Sequence, residues 1–333
     1  MKVTIETIAK KVGVSNATVS YALTGKNRIS EELRQHILAT AKELGYKPSI
    51  LARNLATSTT KTIGLYTADS SYLSEDIYFN SVLTGILDCL HKAGYNLELY
   101  PAYVDSTIDE VLHLNTRQAL DGLLIMNPLI SNHYLDDVKQ MGLPFVLIGL
   151  PMEIHEEVFY VDFDLNASVY IAVERLLNKG RRRIGLINSA KNMSQTKHRE
   201  DGFHQAFADR DIPIPDLITH AGPTVSDGDS ACRELLAKDP EPDGIVVYND
   251  LPAVGAIQAL KDAKRRIPQD TAIISGGNTL IARIFQPSLT SVDSHPYQQG
   301  YRSAQLLLEV IQKKRLRPTH EILSVQLIER ESG

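Results

Sequence analysis

The chain has 333 residues, with 35 Lys and Arg against 40 Asp and Glu, for a net charge of −5 at pH 7. This length predicts about two domains, and a content of 43% apolar and 23% charged residues excludes a largely disordered protein. Two cysteines are too few for a disulfide scaffold or a four-cysteine zinc site. Lysines close to the N-terminus argue against a secretory signal, and no uncharged run reaches the ~20 apolar residues of a membrane helix. We therefore expect a cytoplasmic protein that makes no membrane contact.

The charge is distributed unevenly along the chain. Ten basic and four acidic side chains precede residue 62, so that this segment carries +6 and the remainder carries −11. A small basic segment attached to a larger acidic body favours a module that binds a polyanion such as nucleic acid.

The basic segment has the caps and the apolar spacing of three short helices. Thr4, Ser15 and Ser30 are suited to helix N-caps, and Gly13 allows a tight turn between the first two helices. Two short helices joined in this way are typical of a helix-turn-helix, whose second helix enters the major groove of DNA. The apolar positions of the second helix leave five residues pointing outward: Asn16, Ala17, Thr18, Ser20 and Tyr21.

Five short motifs follow one another along this segment: TIETIA at 4–9, GVS at 13–15, TVS at 18–20, LGYKP at 44–48 and ARNL at 52–55. Together they are similar to the head of the lactose and galactose repressor (LacI/GalR) family of bacterial transcription regulators. The resemblance implies that a palindromic double-stranded DNA operator is contacted by Thr4, Ser15, Asn16, Ala17, Thr18, Ser20, Tyr21, Lys26, Arg28, Ser49, Ala52 and Leu55. Because Tyr21 replaces the arginine most common at its position, the operator of an arginine-bearing relative is not expected here.

The segment from Pro48 to about Ala56 resembles the hinge helix of the family. At the place of Leu55, the family inserts a leucine into the minor groove and kinks the DNA. Nine residues are too few for a stable isolated helix. We therefore expect the hinge to fold only with DNA and the partner subunit.

Beyond residue 61, apolar runs alternate with helical patterns, which predicts a parallel α/β body. The predicted strands are Ile63–Tyr66, Leu97–Tyr100, Gly122–Met126, Phe145–Ile148, Arg183–Ile187, Gly244–Tyr248 and Ala272–Ile274. The predicted helices include Asn80–Ala93, Asn166–Lys179, His198–Ala208 and Leu251–Lys261. The intervening Asp162–Asn166 is interpreted as a strand-to-helix transition.

The resemblance continues through this body and implies the fold of the periplasmic binding proteins, with two parallel-sheet lobes. We expect an all-α helix-turn-helix head at 1–47, a hinge and linker at 48–61, and an effector-binding and dimerisation domain at 62–333. Its first lobe would comprise about 62–161 and 294–322, and its second lobe about 162–292 and 323–333.

Ligands of open α/β sheets bind at the carboxyl ends of the strands. The resemblance places the effector there, against Tyr78, Phe79, Arg199, Asn249 and Asn278. The guanidinium and amide groups suit the vicinal hydroxyls of a sugar. Asn278 stands where the family usually has an aspartate, and the chain has no tryptophan to stack on a sugar. A nucleobase, a sugar phosphate or a lost effector therefore remain alternatives to a sugar.

We interpret the chain as a homodimeric repressor whose operator affinity depends on a small-molecule effector. Induction, corepression and activation are all compatible with the sequence. We expect no cofactor, metal site or catalytic residue. The alternative is a solute-binding or enzymatic α/β protein with an incidental basic arm, although no export signal or convergent catalytic set supports it.

Overall fold

A computed structural model of the chain describes residues 3–24, 29–46, 59–67, 77–101, 120–126, 138–140, 142–151, 158–191, 193–314, 317 and 320–333. The chain divides into two compact units, Met1–Thr60 and Lys61–Gly333.

Helices form the first unit: α1 (Ile5–Val12), α2 (Asn16–Thr24) and α3 (Glu31–Glu43). The Thr4 hydroxyl caps α1 by accepting a hydrogen bond from the Thr7 amide at 3.4 Å. Gly13 ends α1 with a φ of +76°, a left-handed conformation that glycine adopts at little cost. The Ser15 hydroxyl accepts a hydrogen bond from the Thr18 amide at 3.1 Å and so satisfies a free donor at the start of α2.

The three helices enclose a small apolar core. Its buried members are Ile8, Ala9, Val19, Ala22, Ile37 and Ala41. Val14 and Leu23 are partly buried and pack against this core. The helical head with its helix-turn-helix, predicted from caps and spacing, is confirmed.

The second unit contains two sheets of six strands each within the described residues. The strands of the first sheet are β1 (Thr62–Thr67), β2 (Asn96–Pro101), β3 (Gly122–Met126), β4 (Phe145–Ile148), β5 (Tyr160–Phe163) and β11 (His320–Leu323). The strands of the second sheet are β6 (Ile184–Ser189), β7 (Ile218–Ala221), β8 (Gly244–Val247), β9 (Ala272–Gly276), β10 (Thr290–Asp293) and β12 (Gln326–Ile328).

The two sheets have the same strand order. The first runs β11-β5-β4-β3-β1-β2 and the second β12-β10-β9-β8-β6-β7. Every pair of neighbouring strands is parallel except β10 and β12. Each sheet therefore reverses its winding once, between β1 and β3 and between β6 and β8, and ligands bind at such points in open α/β sheets. The predicted fold class, a helical head with two parallel-sheet lobes, is confirmed.

The helices of the second unit connect these strands. They are α4 (Ile77–Ala93), α5 (Leu165–Asn178), α6 (Gln195–Ala208), α7 (Val225–Lys238), α8 (Asp250–Asp262), α9 (Leu280–Ile284) and α10 (Pro296–Ile311). None of the helices within the described ranges combines the length and the apolar character needed to cross a membrane.

Two glycines bring α4 and α10 of the first lobe into close contact. A Cβ atom added at Gly85 would lie 2.0 Å from the Tyr297 carbonyl oxygen, and one at Gly300 would lie 2.0 Å from the Val82 carbonyl oxygen. Only glycine permits this approach, which brings the N-terminal halves of the two helices together.

The chain passes between the sheets after β5, after β10 and after β11. The predicted lobe boundary at residue 161 falls inside β5, which continues to Phe163. Asp162 therefore lies in the first sheet, although the boundary assigns it to the second lobe. Similarly, Leu323 is the last residue of β11 in the first sheet. The parallel pairing of β5 with β11, which runs from Tyr160 and His320 to Phe163 and Leu323, decides both ends.

Candidate functional site

The outward face of α2 contains the residues that the sequence predicts to contact DNA. Asn16 and Ala17 are exposed, and Thr18, Ser20 and Tyr21 are half-buried. Val19 and Ala22 point into the core at 0% and 1% exposure. Packing on one side thus leaves a mostly polar face on the other, as a recognition helix requires.

The other predicted DNA contacts divide into two groups. Thr4 and Ser15 are exposed, and their hydroxyls cap the helices that follow them. Lys26, Arg28, Ser49, Ala52 and Leu55 lie outside the described residues, as does the predicted hinge helix.

A cleft in the second unit is lined by residues of both sheets. Met126 and Ile148 end β3 and β4 of the first sheet, and Ser189 and Val247 end β6 and β8 of the second. The cleft therefore lies where the carboxyl ends of the two sets of strands face each other.

Arg199 contributes a buried positive charge to this cleft. Its side chain, on α6, is 6% exposed, and its guanidinium carbon lies 5.5 Å from the centre of the Tyr248 ring. Nη1 donates to Ser189 Oγ at 3.0 Å, and Nη2 donates to Gln195 Oε1 at 3.3 Å. The Ser189 hydroxyl and the Gln195 amide oxygen are neutral acceptors, and they hold the guanidinium plane in place.

Asp162 is a buried carboxylate at the first-lobe side of the cleft, with 0% exposure. It accepts hydrogen bonds from the Leu150 amide at 2.7 Å, the Phe163 amide at 2.8 Å and Gln299 Nε2 at 2.9 Å. Burial raises its pKa to about 6, against the lowering effect of these three donors and of the positive charge of Arg199.

Gln299 connects this carboxylate to the cleft. Its side chain, in the first turns of α10, is 2% exposed, and its Oε1 accepts a hydrogen bond of 2.6 Å from the Tyr78 hydroxyl. Gln299 and Tyr78 both line the cleft. Neither Gln299 nor Asp162 is among the effector contacts predicted from the sequence.

A second buried carboxylate, Asp250, lies at the start of α8 in the second lobe, with 1% exposure. The Thr279 amide and hydroxyl donate to it at 2.7 and 2.8 Å, the Ser291 hydroxyl donates at 2.9 Å, and the Ser275 hydroxyl donates as well. Burial raises the pKa of Asp250, while these donors oppose the rise.

Three of the five predicted effector contacts line the cleft, namely Tyr78, Arg199 and Asn249. Phe79 does not, because the helical turn directs it away from its neighbour Tyr78 and into the core of the first lobe, where it is 1% exposed. Consecutive helical residues point about 100° apart, so Tyr78 faces the cleft while Phe79 packs into the core.

Asn278 is also not among the cleft-lining residues. It lies in a turn at a φ of +52°, and its Nδ2 donates to Asp293 Oδ2 at 2.9 Å. Its Oδ1 accepts a hydrogen bond from Arg330. Both ends of the amide are thus used to hold the turn after β9 against β10 and the C-terminal segment.

Ser294 is a further cleft-lining residue that the sequence does not identify. It is 2% exposed, and its hydroxyl has no hydrogen-bond partner within the described part of the chain. A buried hydroxyl without a partner is costly, which is one reason to look for a ligand beside it.

Two family profiles match the chain. The profile of "Bacterial regulatory proteins, lacI family" matches residues 4–49, and that of the "Periplasmic binding protein-like domain" matches residues 173–333. The chain is 30% identical to an HTH-type transcriptional regulator of Lachnoclostridium phytofermentans, over 86% of this chain and 87% of that protein. It is 29% identical to the HTH-type transcriptional regulator CelR of Thermobifida fusca, over 99% of this chain and 98% of that protein.

Among solved structures, a complex of the transcriptional regulator CelR with cellobiose superimposes with a TM-score of 0.79. It shares 26% sequence identity with this chain, and the match covers 100% of both chains. Matching relatives span both the helical head and the two-lobed body. The chain therefore belongs to the LacI family, and it is a DNA-binding transcriptional regulator.

Proposed function

We propose that the protein is a repressor whose operator affinity is modulated by a neutral carbohydrate bound in the cleft between the two lobes. The observation that carries this proposal is the buried guanidinium of Arg199, held in a fixed plane at the cleft by Ser189 and Gln195. A planar set of N–H donors suits several oxygens of one sugar at once.

The charge around Arg199 favours a neutral effector over an anionic one. The positive charge of Arg199 acts on the buried carboxylate of Asp162, so part of the guanidinium charge is already compensated within the protein. A sugar phosphate would bring a second negative charge near Asp162. The relative whose structure contains cellobiose supports the same ligand class.

For DNA, we propose contacts from the outward face of α2 and from the hinge segment 48–61, with the head ending near residue 47. Two heads are required because a single one makes too few contacts for operator affinity and selectivity, so we infer a homodimer on a palindromic site in the cytoplasm. Since the relatives are transcriptional regulators, we assign a regulatory role and not an enzymatic one.

Thermal unfolding of the full-length protein with cellobiose, ribose, ribose 5-phosphate and adenosine tests the effector class. A compound at about 100 times its Kd adds about 2.7 kcal/mol to the free energy of unfolding. We expect one of the two neutral sugars to stabilise the wild type and to have no effect on Arg199→Ala. Arg266→Ala is the matched control, because Arg266 is largely exposed and pairs with Asp270 on the surface.

The same sugar should change the affinity for an operator selected from a library of randomised palindromes, by a factor of about 5 to 150. Stabilisation by adenosine or ribose 5-phosphate alone would contradict the carbohydrate assignment. A sugar that stabilises Arg199→Ala as strongly as the wild type would contradict the proposed place of binding.

A further inference from the structure

The orientation of the Gln299 amide is fixed by the chemistry of its neighbours. Its nitrogen end faces Asp162 Oδ1 at 2.9 Å and the Val161 carbonyl oxygen at 3.4 Å. A carboxylate and a carbonyl can only accept hydrogen bonds, so the end that faces them must be the donor –NH2 group. The oxygen of the amide therefore points the other way, toward Tyr78.

This orientation determines which way the Tyr78 hydroxyl proton points. The amide oxygen is an acceptor only, and it lies 2.6 Å from the Tyr78 hydroxyl oxygen. A hydrogen bond at this distance requires a donor, and the only proton available is that of the phenol. The proton is thus directed at Gln299, away from a ligand in the cleft.

We propose that Gln299, anchored by Asp162, is a positioning residue that makes Tyr78 an acceptor toward the effector, so that the effector must present a hydroxyl proton at this point. The inference rests on the proposed carbohydrate effector and specifies, for one of its hydroxyl groups, that the group donates its hydrogen bond to the protein. The Arg199 guanidinium across the cleft can only donate hydrogen bonds. The first lobe would therefore accept a hydrogen bond from the ligand at Tyr78, and the second lobe would donate hydrogen bonds to it at Arg199.

Packing makes this polarity rigid. Asp162 and Gln299 are 0% and 2% exposed, so water cannot replace either partner. Reversing the amide would place its oxygen against the carboxylate of Asp162 and the carbonyl oxygen of Val161. Three buried hydrogen-bond acceptors would then face one another with no donor between them. The free energy lost in such a reversal is far larger than the free energy that one hydrogen bond to a ligand contributes.

The test uses cellobiose and its monodeoxyfluoro derivatives, in which fluorine replaces one hydroxyl at a time. Fluorine accepts weakly and cannot donate. For wild-type protein, we expect one derivative to bind about tenfold or more weakly than cellobiose in titration calorimetry, because fluorine would face the Tyr78 oxygen. In Gln299→Met and Tyr78→Phe, this discrimination should fall below about threefold while the ranking of the other derivatives persists.

Gln298→Met is the matched control, since Gln298 is the neighbouring residue on α10 and is exposed. It should retain the wild-type discrimination. Discrimination that survives in Gln299→Met, or equal binding of all derivatives by the wild type, would overturn the proposal.

If cellobiose does not bind the wild type, the proposed effector class fails for this disaccharide, and the unfolding of the variants then decides the inference. In the wild type, Tyr78→Phe should lower the Tm because it leaves a buried amide oxygen unpaired. This decrease should be about 2 °C or more larger than the decrease that the same substitution causes in Gln299→Met. Additive effects of the two substitutions would show that the amide does not orient the hydroxyl.

Discussion

The two lobes each bury one carboxylate near the cleft, and they stabilise it in different ways. In the first lobe, the donors to Asp162 within the described residues are all N–H groups, two of them in the backbone. In the second lobe, Asp250 accepts from three hydroxyls and one backbone amide. N–H groups can only donate, whereas a hydroxyl can rotate and accept instead. The donor and acceptor roles around the buried carboxylate are therefore fixed in the first lobe, whereas those in the second lobe can adjust.

The largest effect is expected from the pH dependence that Asp162 contributes to stability. Burial raises the pKa of Asp162 to about 6 from an ordinary 3.8. Between pH 3.8 and 6, the folded protein therefore keeps a proton on Asp162 that the unfolded chain has lost. The contribution of Asp162 to the free energy of unfolding is greatest below about pH 4 and falls as the pH rises to about 6. The loss due to Asp162 is about 3 kcal/mol.

Urea unfolding at several pH values measures this loss as the difference between wild type and Asp162→Asn. The subtraction is needed because burial also raises the pKa of Asp250, whose contribution has the same sign and is present in both proteins. A difference that does not vary between pH 4 and 7 would mean that Asp162 does not titrate in this range.

An intermediate effect is expected from replacing each carboxylate by its amide at pH 7. Asp162→Asn should lower the free energy of unfolding by about 2 kcal/mol, because an amide –NH2 group must then face a buried N–H donor. Asp250→Asn should cost less than about 1 kcal/mol, since Ser275, Thr279 and Ser291 can rotate their hydroxyls to accept. Equal costs in urea unfolding would remove the proposed difference between the lobes.

The smallest effect is expected at Ser294, whose buried hydroxyl has no partner within the described residues. Ser294→Ala should leave the free energy of unfolding unchanged or raise it by up to about 1 kcal/mol, because an unpaired polar atom is removed. Sugar affinity should fall in the same variant if the hydroxyl binds the effector. A clear loss of stability without sugar would instead indicate a structural partner.

Much of the fold follows from local patterns in the sequence. Each of the seven strands and four helices predicted for the α/β body overlaps an element of the structure. The elements that were not predicted include the strand Ile218–Ala221 and the helix Pro296–Ile311. The strand is short, alternates in burial and contains His220, so its apolar signal is weak, whereas the helix begins with polar side chains.

The candidate site is predictable in part from short family motifs. Arg199 and Asn249 were placed by their motifs, and both line the cleft. Phe79 and Asn278 shared the same kind of evidence, yet one packs into the core and the other holds a turn. A motif determines where a residue lies along the chain but not which way its side chain points.

The sequence by itself determined the helical head, the alternation of strands and helices, and the family, because caps, apolar spacing and short motifs are local properties. Only the tertiary structure joined Asp162, Gln299 and Tyr78, which come from β5, α10 and α4. Their contact depends on the parallel order of the first sheet and on the close approach of α4 and α10 at Gly85 and Gly300. The polarity of the cleft is therefore a property of packing between distant segments, which local patterns do not encode.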